Sequence, residues 1–397
     1  MVNQQMYALG ANRSVIRELF EYGKLRAAVV GAENVFDYSL GNPSIPAPEE
    51  VNTTIRTLLE DTDSVQLHGY TSAAGDMQTR QAIAAELRRR YCTDIDPERL
   101  FVGCGAAAEL VSVMRALTVP GAEILAIAPY FPEYKPFAEQ AGAVFKTVSA
   151  DTEYFQIDFQ SMEQQITANT VAVIVNSPNN PSGAVYTEQT LRQLSQLLRE
   201  KAAQYGHPVY ILADEPYREL VYDGVRVPFI PDIYPDTVVC YSYSKSLSLP
   251  GERIGYIYVP PQAADSEALY KAILGAARVS GHVCAPSLMQ KVIARCVHLR
   301  PDLKAYDKNR KALYEGLLDA GYQVVKPEGA FYLFVKAPGG DAVAFSQRAK
   351  EKDLLVVPGD GFGCPGYFRL CYCVSYDTIL RSLPVFRQLN VERAYGV

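Results

Sequence analysis

The residues best suited to chemistry begin with a lysine, Lys245, that directly follows an apolar run and is surrounded by small hydroxyl side chains. The stretch from Ser242 to Arg253 reads Ser-Tyr-Ser-Lys-Ser-Leu-Ser-Leu-Pro-Gly-Glu-Arg. A buried lysine loses its proton readily, and a neutral amine can form a Schiff base with an aldehyde. Ser242, Ser244 and Arg253 add hydroxyl donors and a fixed positive charge that suit a phosphate dianion. The stretch therefore indicates a reactive amine beside a phosphate site.

Two more polar segments follow apolar runs upstream of this lysine. Asp214 opens the segment Asp-Glu-Pro-Tyr, and Asn180 lies within Asn-Ser-Pro-Asn-Asn-Pro-Ser-Gly. Residues at the carboxyl ends of parallel strands face the crevice where α/β sheets bind ligands. A carboxylate there keeps a pyridine nitrogen protonated, because an opposite charge nearby favours the charged form. Taken singly, each segment is equally well explained as a turn or a helix cap, so only the combination carries weight.

A fourth segment, Phe-Val-Gly-Cys-Gly-Ala-Ala-Ala-Glu-Leu, runs from a strand through glycines directly into a helix, with Gly105 at the turn. The free N–H groups at such a helix start, together with the helix dipole, can bind an anion. The small side chains of Ala106 and Ala107 allow a phosphate to come close. Glycine-to-helix turns are common, so this signal is weak when it stands alone.

Helical and strand patterns alternate between roughly residue 76 and residue 260, which is typical of a mainly parallel sheet covered by helices. The predicted helices are Asp76–Cys92, Ala106–Leu117, Asp158–Ala168 and Glu188–Gln204, the last with Thr187 as its N-cap. The predicted strands are Ile124–Ala128, Val171–Asn176, Val209–Ala213, Val238–Tyr243 and Ile254–Val259. Several of these strands are continuous apolar runs, which suits burial on both faces.

After Pro286 the pattern changes and predicts a smaller α+β unit. Its predicted elements are a helix over Leu303–Ala320, strands at Gly329–Val335, Leu354–Val357 and Tyr367–Cys371, and a closing helix over Tyr376–Leu389. A helix over Ser14–Ala28 is expected to pack with this unit or with a partner subunit, because the proline-rich stretch Asn42–Pro48 separates it from the rest of the chain. A chain of 397 residues exceeds what one hydrophobic core usually supports. We therefore predict an N-terminal segment (1–45), a large ligand-binding domain (46–285) and a small domain (286–397).

Composition and charge exclude several classes of protein. The 38 basic and 44 acidic residues give a formal charge of −6 without blocks of like charge, which argues against a nucleic-acid partner. No apolar stretch suits a secretory signal or a membrane span, so we expect a cytoplasmic protein. The eight cysteines and four histidines show no ligand spacing, and we expect no metal site. Cys371 and Cys373, the only close pair of cysteines, are interpreted as apolar packing residues.

In their order and spacing, the four segments resemble the class I and II aminotransferases of the fold-type-I pyridoxal-phosphate family, of which aspartate aminotransferase is typical. The resemblance covers nearly the whole chain. Its sharpest parts are Asn-Asn-Pro-Ser-Gly at 179–183, Asp-x-x-Tyr at 214–217, Ser-x-Ser-Lys at 242–245 with Arg253, and Gly-Tyr-Phe-Arg-Leu at 366–370. It implies an α/β fold with a mainly parallel seven-stranded sheet, plus a smaller α+β domain formed by the N-terminal segment and the C-terminal third. The implied activity is transfer of an amino group between an L-amino acid and a 2-oxo acid.

The resemblance also implies roles for the catalytic residues. Lys245 would form a Schiff base with pyridoxal 5'-phosphate and, once released, move a proton between the substrate Cα and the cofactor. Asp214 would pair with the protonated ring nitrogen. Tyr217 and Asn180 would donate hydrogen bonds to the phenolic oxygen, and these contacts would tune the electronics of the cofactor.

Further residues would hold the cofactor's phosphate and ring. By resemblance, the phosphate is held by Ser242, Ser244, Arg253 and the backbone of Gly105, Ala106 and Ala107. Tyr70 matches a tyrosine that reaches the phosphate of the neighbouring subunit, which implies a homodimer with shared active sites. Phe131 matches the aromatic residue that stacks on the pyridine ring, although an alignment error of one residue would select Tyr130.

The substrate would be held through its α-carboxylate. Arg369 matches an arginine that grips this carboxylate in a planar two-point contact and thereby orients the Cα–H bond. By the same resemblance, Gly41 and Asn180 lie beside the carboxylate. A cis peptide is expected between Asn180 and Pro181.

Some positions depart from the family pattern. Ser182 stands where threonine is usual, and Ala106 and Ala107 stand where many relatives carry a hydroxyl or lysine side chain. A second arginine, which members specific for dicarboxylates use, has no secure match. Arg13, Arg17 and Arg278 lie in plausible regions, so specificity for aspartate or glutamate stays open.

Two alternative functions use the same scaffold. A carbon–sulfur β-lyase would need the same cofactor set, and release of pyruvate and ammonia without an added oxo acid would distinguish it. A pyridoxal-phosphate-dependent transcription regulator carries a DNA-binding domain before this fold. The forty residues before Gly41 are too few for a winged helix, and the acidic balance opposes DNA binding.

Overall fold

The computed structural model describes residues 1–11 and 14–394, with side chains described as far as residue 391. The helices are α1 (Gln4–Ala11), α2 (Val15–Val30), α3 (Glu49–Asp61), α4 (Ser64–His68), α5 (Met77–Tyr91), α6 (Ala106–Leu117), α7 (Tyr134–Ala141), α8 (Phe159–Gln165), α9 (Glu188–Tyr205), α10 (Ile230–Ile233), α11 (Tyr243–Ser246), α12 (Ser266–Val279), α13 (Ser287–Cys296), α14 (Leu303–Asp319), α15 (Ala342–Glu351) and α16 (Tyr376–Ala394). The strands are β1 (Phe36–Asp37), β2 (Leu100–Gly103), β3 (Glu123–Ile127), β4 (Val144–Val148), β5 (Thr170–Asn176), β6 (Tyr210–Asp214), β7 (Thr237–Ser242), β8 (Gly255–Tyr258), β9 (Tyr332–Lys336), β10 (Leu354–Leu355), β11 (Val357–Pro358) and β12 (Tyr367–Cys371).

A seven-stranded sheet in the order β2-β8-β7-β6-β5-β3-β4 forms the centre of the larger unit. The neighbouring strands β7-β6-β5-β3-β4 all pair in parallel, and β8 runs antiparallel to both β2 and β7. All residues of β6 and β7 are buried, as their continuous apolar sequences predict. The prediction of a mainly parallel sheet is therefore confirmed.

Helices cover both faces of this sheet. Leu212 on β6 packs with residues of α6 and α12, whereas its neighbours Ile211 and Ala213 pack with α3, α5, α9 and α13 on the other face. This alternation is expected, because successive side chains of a strand point to opposite faces. The last residue of β6, Asp214, and the residue after it, Glu215, consequently belong to different environments.

The smaller unit combines both ends of the chain, as predicted. Its three-stranded antiparallel sheet has the order β11-β12-β9. The N-terminal strand β1 pairs in parallel with β10, with Phe36 opposite Leu354. A core of aromatic and aliphatic residues joins α14 and α16 to β9 and β12. Helix α2 contacts β11, so the N-terminal helix packs on this unit.

Several boundaries differ from the sequence-based predictions. The strand predicted from Gly329 begins at Tyr332, because Gly329 forms only an isolated bridge with Val221. The strand predicted at Leu354–Val357 is split between β10 and β11, which belong to different sheets. Helix α13 follows the predicted boundary at residue 286, yet it packs on α3 and α5 beside the large sheet. Its apolar residues belong to the core of the larger unit.

Within the described ranges, the structure contains no helix that is long and apolar enough to cross a lipid bilayer.

Candidate active site

A cavity of about 220 Å³ lies beyond the carboxyl ends of β5, β6 and β7, where the larger unit meets the smaller one. Ligands of α/β proteins bind at this edge of the sheet. The cavity is lined by Ile16, Leu40, Gly41, Ala106, Ala107, Leu110, Phe131, Asn176, Asn180, Asp214, Pro216, Tyr217, Lys245, Tyr332 and Arg369. The segments singled out in the sequence therefore meet in one place.

Lys245 sits on α11, a single helical turn that directly follows β7. Ser242 caps this turn, and its hydroxyl accepts a hydrogen bond from the N–H of Ser244. The Lys245 Nζ donates to the carbonyl of Gly41 at 2.6 Å. Burial, opposed in part by Cys373 and Cys371, lowers the pKa of Lys245 below its ordinary value. The amine is therefore easier to deprotonate than an exposed lysine, as a nucleophile requires.

Asp214 ends β6 and is only 5% exposed. Its Oδ2 accepts hydrogen bonds from the Tyr134 hydroxyl at 2.5 Å and from Asn176 Nδ2 at 3.3 Å. Its Oδ1 is buried and has no hydrogen-bond partner among the described residues. Burial raises the pKa of Asp214 to about 7, even though the Tyr134 hydrogen bond acts in the opposite direction. A cation placed beside Oδ1 would satisfy this oxygen and restore the ionised form.

Asn180 is held by the loop that follows β5. Its backbone N–H donates to Asn176 Oδ1 at 2.7 Å. The peptide bond to Pro181 is cis, as predicted, and Ser177–Pro178 in the same loop is also cis. The Asn180 side chain accepts a hydrogen bond from Arg369 Nη1 at 3.1 Å. The loop thus connects the end of β5 with the smaller unit.

Tyr217 lies on the cavity wall and contacts a second tyrosine that the sequence analysis did not select. The hydroxyls of Tyr217 and Tyr332 are 2.9 Å apart, and both residues are buried. A Cβ added at Gly41 would lie 2.1 Å from the Tyr332 Oη, so a side chain at this position would displace the tyrosine. The Tyr332 hydroxyl thus lies so close to the Gly41 backbone that only glycine fits at this position. The carbonyl of the same glycine accepts the hydrogen bond from Lys245.

Arg369 lies on β12 of the smaller unit and is 2% exposed. Its Nη2 donates to the Ser39 carbonyl at 2.5 Å, and its guanidinium lies 4.9 Å from the Tyr332 ring centroid. Within the described part of the chain, no acceptor meets the buried Nε. A buried guanidinium that lines a cavity and keeps one N–H without an acceptor is well suited to bind a carboxylate.

The opposite end of the site is formed by the start of α6. Gly105 has a φ of +89°, and a Cβ there would lie 3.1 Å from Arg253 Nη2. The turn therefore needs glycine, and it brings the Arg253 guanidinium beside the free N–H groups of the helix. The hydroxyls of Ser242 and Ser244 are 2.7 Å apart. Neither serine lines the cavity, and neither Gly105 nor Arg253 does so, although the next residues in the chain, Ala106, Ala107 and Lys245, do.

The structure distinguishes between the two adjacent aromatic candidates. Phe131 lines the cavity, whereas the Tyr130 ring packs against Phe145 with centroids 5.3 Å apart. Tyr70, on the other hand, is 99% exposed and lies outside the cavity. Its placement against a cofactor would require a second subunit.

Sequence reasoning missed several residues of this site. Tyr134, three residues after Phe131, was given no role in the sequence analysis, and its partner Asp214 is 80 residues away in the sequence. Tyr332 and Ile16 carry no motif that would select them. Of the arginines considered for a second carboxylate, Arg17 and Arg278 are exposed and do not line the cavity, and Arg13 lies outside the described residues.

These features can be tested for their fit to pyridoxal 5'-phosphate. The unpartnered Asp214 Oδ1 suits a protonated ring nitrogen, and the amine of Lys245 suits an aldehyde. The Gly105 turn beside Arg253 suits a phosphate, because a side chain would fill that space. The donor set thus fits each charged or reactive group of this cofactor.

Comparisons with known proteins agree with this arrangement. Residues 33–383 match the model of the family described as aminotransferase class I and II. The crystal structure of an amino transferase from Eubacterium rectale is 56% identical, with a TM-score of 0.97 and coverage of 99% of both chains. The aspartate aminotransferase of Thermotoga maritima is 29% identical over 91% of this chain and 92% of its own length. The aspartate/prephenate aminotransferase of Thermus thermophilus is 30% identical over 88% of this chain and 89% of its own length.

The chain belongs to the class I and II aminotransferase family. It is an aminotransferase that moves an amino group between an amino acid and a 2-oxo acid. The similar proteins are aminotransferases with several substrates, so the alternative of a carbon–sulfur β-lyase is not favoured.

Proposed function

We propose that this aminotransferase uses pyridoxal 5'-phosphate held as a Schiff base on Lys245. When bound, this cofactor supplies an electron sink that stabilises negative charge at the substrate Cα. The observation that carries the proposal is that Lys245 and Asp214, a reactive amine and a buried acid with a free oxygen, line the same small cavity.

Lys245 would act twice in the reaction. Its lowered pKa makes the neutral amine needed for bonding to the cofactor easier to form than in an exposed lysine, and substrate binding would release the same amine. The free Nζ would then accept the proton from Cα and deliver it to the cofactor carbon. The Gly41 carbonyl, which already accepts from Nζ, would hold the released amine near this position.

Asp214 would keep the ring nitrogen protonated. The Tyr134 hydroxyl and Asn176 amide fix its Oδ2, and this leaves Oδ1 for the ring. Asn180 and Tyr217 would donate to the phenolic oxygen. The close contact between the Tyr217 and Tyr332 hydroxyls fixes the position of the Tyr217 hydroxyl.

The remaining contacts would hold the two acidic ends of the complex. Arg369, supported by Ser39 and Asn180, would bind the substrate α-carboxylate next to Gly41. Phe131 would stack on the ring. At the other end the phosphate would be held by Ser242, Ser244, Arg253 and the backbone of Gly105, Ala106 and Ala107.

A homodimer with shared sites would complete the phosphate contacts through Tyr70. The almost full exposure of this tyrosine and the exposed apolar residues of the N-terminal helix α1, which include Met6, Tyr7 and Leu9, support such a dimer. We further propose the division into residues 1–45, 46–285 and 286–397, in which α13 follows the second boundary in sequence but packs its apolar residues into the core of the larger unit. We also propose a cytoplasmic location, as expected from the sequence.

The proposal is tested by a half-reaction screen. The purified protein is reconstituted with pyridoxal 5'-phosphate and mixed with each of the twenty amino acids in turn, without an oxo acid. We expect loss of the cofactor–lysine imine absorbance with at least one amino acid, and its return when a 2-oxo acid is added. The proposal would be contradicted if no amino acid caused loss of the imine absorbance, or if the protein released ammonia and pyruvate instead.

A further inference from the structure

A second cavity adjoins the candidate active site. It has a volume of about 430 Å³ and lies between the first turns of α2, the Phe131–Glu133 segment and the smaller unit. Ile16 and Phe131 line both cavities, so the two spaces meet at these side chains. A substrate bound in the first cavity would have to pass these two side chains to reach the second.

The wall that leads into the second cavity is apolar. Beyond Ile16 and Phe131 it is continued by Leu19, Val357 and Phe362, all of which are buried. The Phe362 ring centroid lies 5.0 Å from the Arg369 guanidinium. An amino acid whose carboxylate is held by Arg369 would therefore be bound close to the apolar residues that line the second cavity.

The charges around the second cavity do not favour a second carboxylate. Among the described residues, three acids, Glu18, Glu133 and Asp360, line it together with one cation, Lys350. The Lys350 ammonium lies 4.1 Å from the centroid of the Tyr22 ring, so a carboxylate would compete with this cation–π contact for it. In the part of the chain that the structure describes, the only cations lining the first cavity are Lys245 and Arg369. A side-chain carboxylate in the second cavity would thus be desolvated among three acids and a single cation, which is costly.

From this geometry we propose that the preferred substrates are L-amino acids with large apolar side chains, aliphatic or aromatic, rather than aspartate and glutamate. The side chain occupies the second cavity against Ile16, Phe131 and Phe362. This inference rests on the proposed function, because it assumes that Arg369 binds the α-carboxylate. It adds the substrate class, which the motifs leave open.

Half-reaction rates test the preference in the reconstituted enzyme. The second-order rate constants for phenylalanine and leucine should exceed those for aspartate and glutamate by at least about tenfold, the selectivity expected for burying one large apolar side chain. Equal or higher constants for aspartate or glutamate overturn the inference and leave the aminotransferase proposal intact. If no amino acid of either class converts the cofactor, the proposed function itself fails.

Binding of unreactive acids gives a readout that does not depend on turnover. 3-Phenylpropionate and succinate each offer one carboxylate to Arg369. The second cavity would then have to accept a phenyl ring from the first compound and a second carboxylate from the other. Calorimetry on the holoenzyme should give a dissociation constant for 3-phenylpropionate at least about tenfold below that for succinate. Tighter binding of succinate would contradict the inference.

A charge introduced on the shared wall tests whether the side chain of the ligand binds there. Ile16→Arg adds a cation between the two cavities and should weaken 3-phenylpropionate while strengthening succinate. Val144→Arg, at a position 53% exposed on the edge strand β4, adds the same charge elsewhere and should change neither constant. If Ile16→Arg leaves the ratio of the two constants unchanged, the side chain is not bound at this wall and the inference is wrong.

Discussion

Two consecutive acids, Asp214 and Glu215, are equally buried but lie on opposite faces of the sheet and meet different partners. Asp214 faces the cavity and keeps one oxygen without a partner among the described residues. Glu215 faces the other way and accepts a hydrogen bond from the buried guanidinium of Arg218 at 2.5 Å. Burial raises the pKa of both acids, but of the two only Glu215 has a cation from the described chain beside it. Glu215 also keeps one oxygen, Oε1, without a hydrogen-bond partner in the described part of the chain, so neither burial nor an unpartnered oxygen alone identifies a functional acid. What sets Asp214 apart is that it lines a cavity and that no cation of the described chain lies beside it.

The surroundings of the second acid show what a structural ion pair looks like in this protein. Arg218 Nη1 donates to the Tyr256 hydroxyl at 2.7 Å, and the guanidinium lies 4.6 Å from the Tyr241 ring centroid. Glu219, nearby, accepts from the Tyr241 hydroxyl at 2.7 Å and forms an ion pair with Arg90. This group of side chains, Glu215, Arg218, Glu219, Arg90 and Tyr241, is neutralised from within the chain. Asp214, within the same described ranges, lacks a cation until a ligand supplies one.

The largest expected effect comes from Asp214→Asn in the reconstituted enzyme. Loss of the negative charge would leave the ring nitrogen unprotonated and weaken the electron sink, so the half-reaction rate should fall by at least about a hundredfold. Rapid-mixing absorbance measurements with the best amino acid check this. Glu215→Gln is the matched control and should change the rate by no more than about threefold. Similar losses in both variants would contradict the comparison.

Arg218→Met should have the opposite profile. Removing one partner of a buried ion pair leaves Glu215 uncompensated, and this costs about 3–5 kcal/mol of stability. Urea denaturation of the holoenzyme should show the loss, while the folded fraction keeps its half-reaction rate. A variant of unchanged stability would show that the pair does not contribute, and a variant that is stable but inactive would place Arg218 in the site.

The stability of the cofactor-free protein should depend on pH through Asp214. Its native pKa of about 7 lies above the ordinary value of 3.8, so the native state binds more protons between these pH values. Unfolding free energy should therefore fall as pH rises from about 4 to 7, by at most about 4 kcal/mol at 1.36 kcal/mol for each pKa unit. Denaturation of wild type and Asp214→Asn across this range isolates the contribution. This pH-dependent contribution to the unfolding free energy should be absent in Asp214→Asn. In the wild-type protein it should become smaller when the cofactor is bound.

Tyr134→Phe should give the smallest effect. The variant removes a hydrogen bond that stabilises the ionised Asp214, so the pKa of the acid rises further. Because the cofactor still favours the ionised acid, the half-reaction rate should fall only about threefold to tenfold, most strongly at low pH. The pH profile of the rate checks this, and an unchanged profile would show that Tyr134 has no part in tuning the acid.

The sequence was sufficient to predict the main sheet and most of the residues that line the candidate site, because both depend on local signals. Apolar runs marked β5, β6 and β7, and the polar residues at their carboxyl ends necessarily meet at one edge of a parallel sheet. Strand β4 was missed because it is an edge strand whose first residue, Val144, is exposed, so it lacks a continuous apolar run.

Other features could not be read locally. The pairing of Tyr134 with Asp214 and the contact of Tyr332 with Gly41 join residues far apart in sequence, and nothing in their own segments selects them. The apolar second cavity depends on how α2 packs against the smaller unit. Such contacts result from tertiary packing, which motif spacing does not encode.

The most direct test of the account is chemical trapping of the lysine. The protein is incubated with pyridoxal 5'-phosphate, reduced with borohydride, digested and analysed by mass spectrometry. We predict that the pyridoxyl group is found on the peptide containing Lys245 and that Lys245→Ala yields no stoichiometric label. Stoichiometric labelling of another lysine, or none in the wild-type protein, would contradict the claim that Lys245 carries the cofactor.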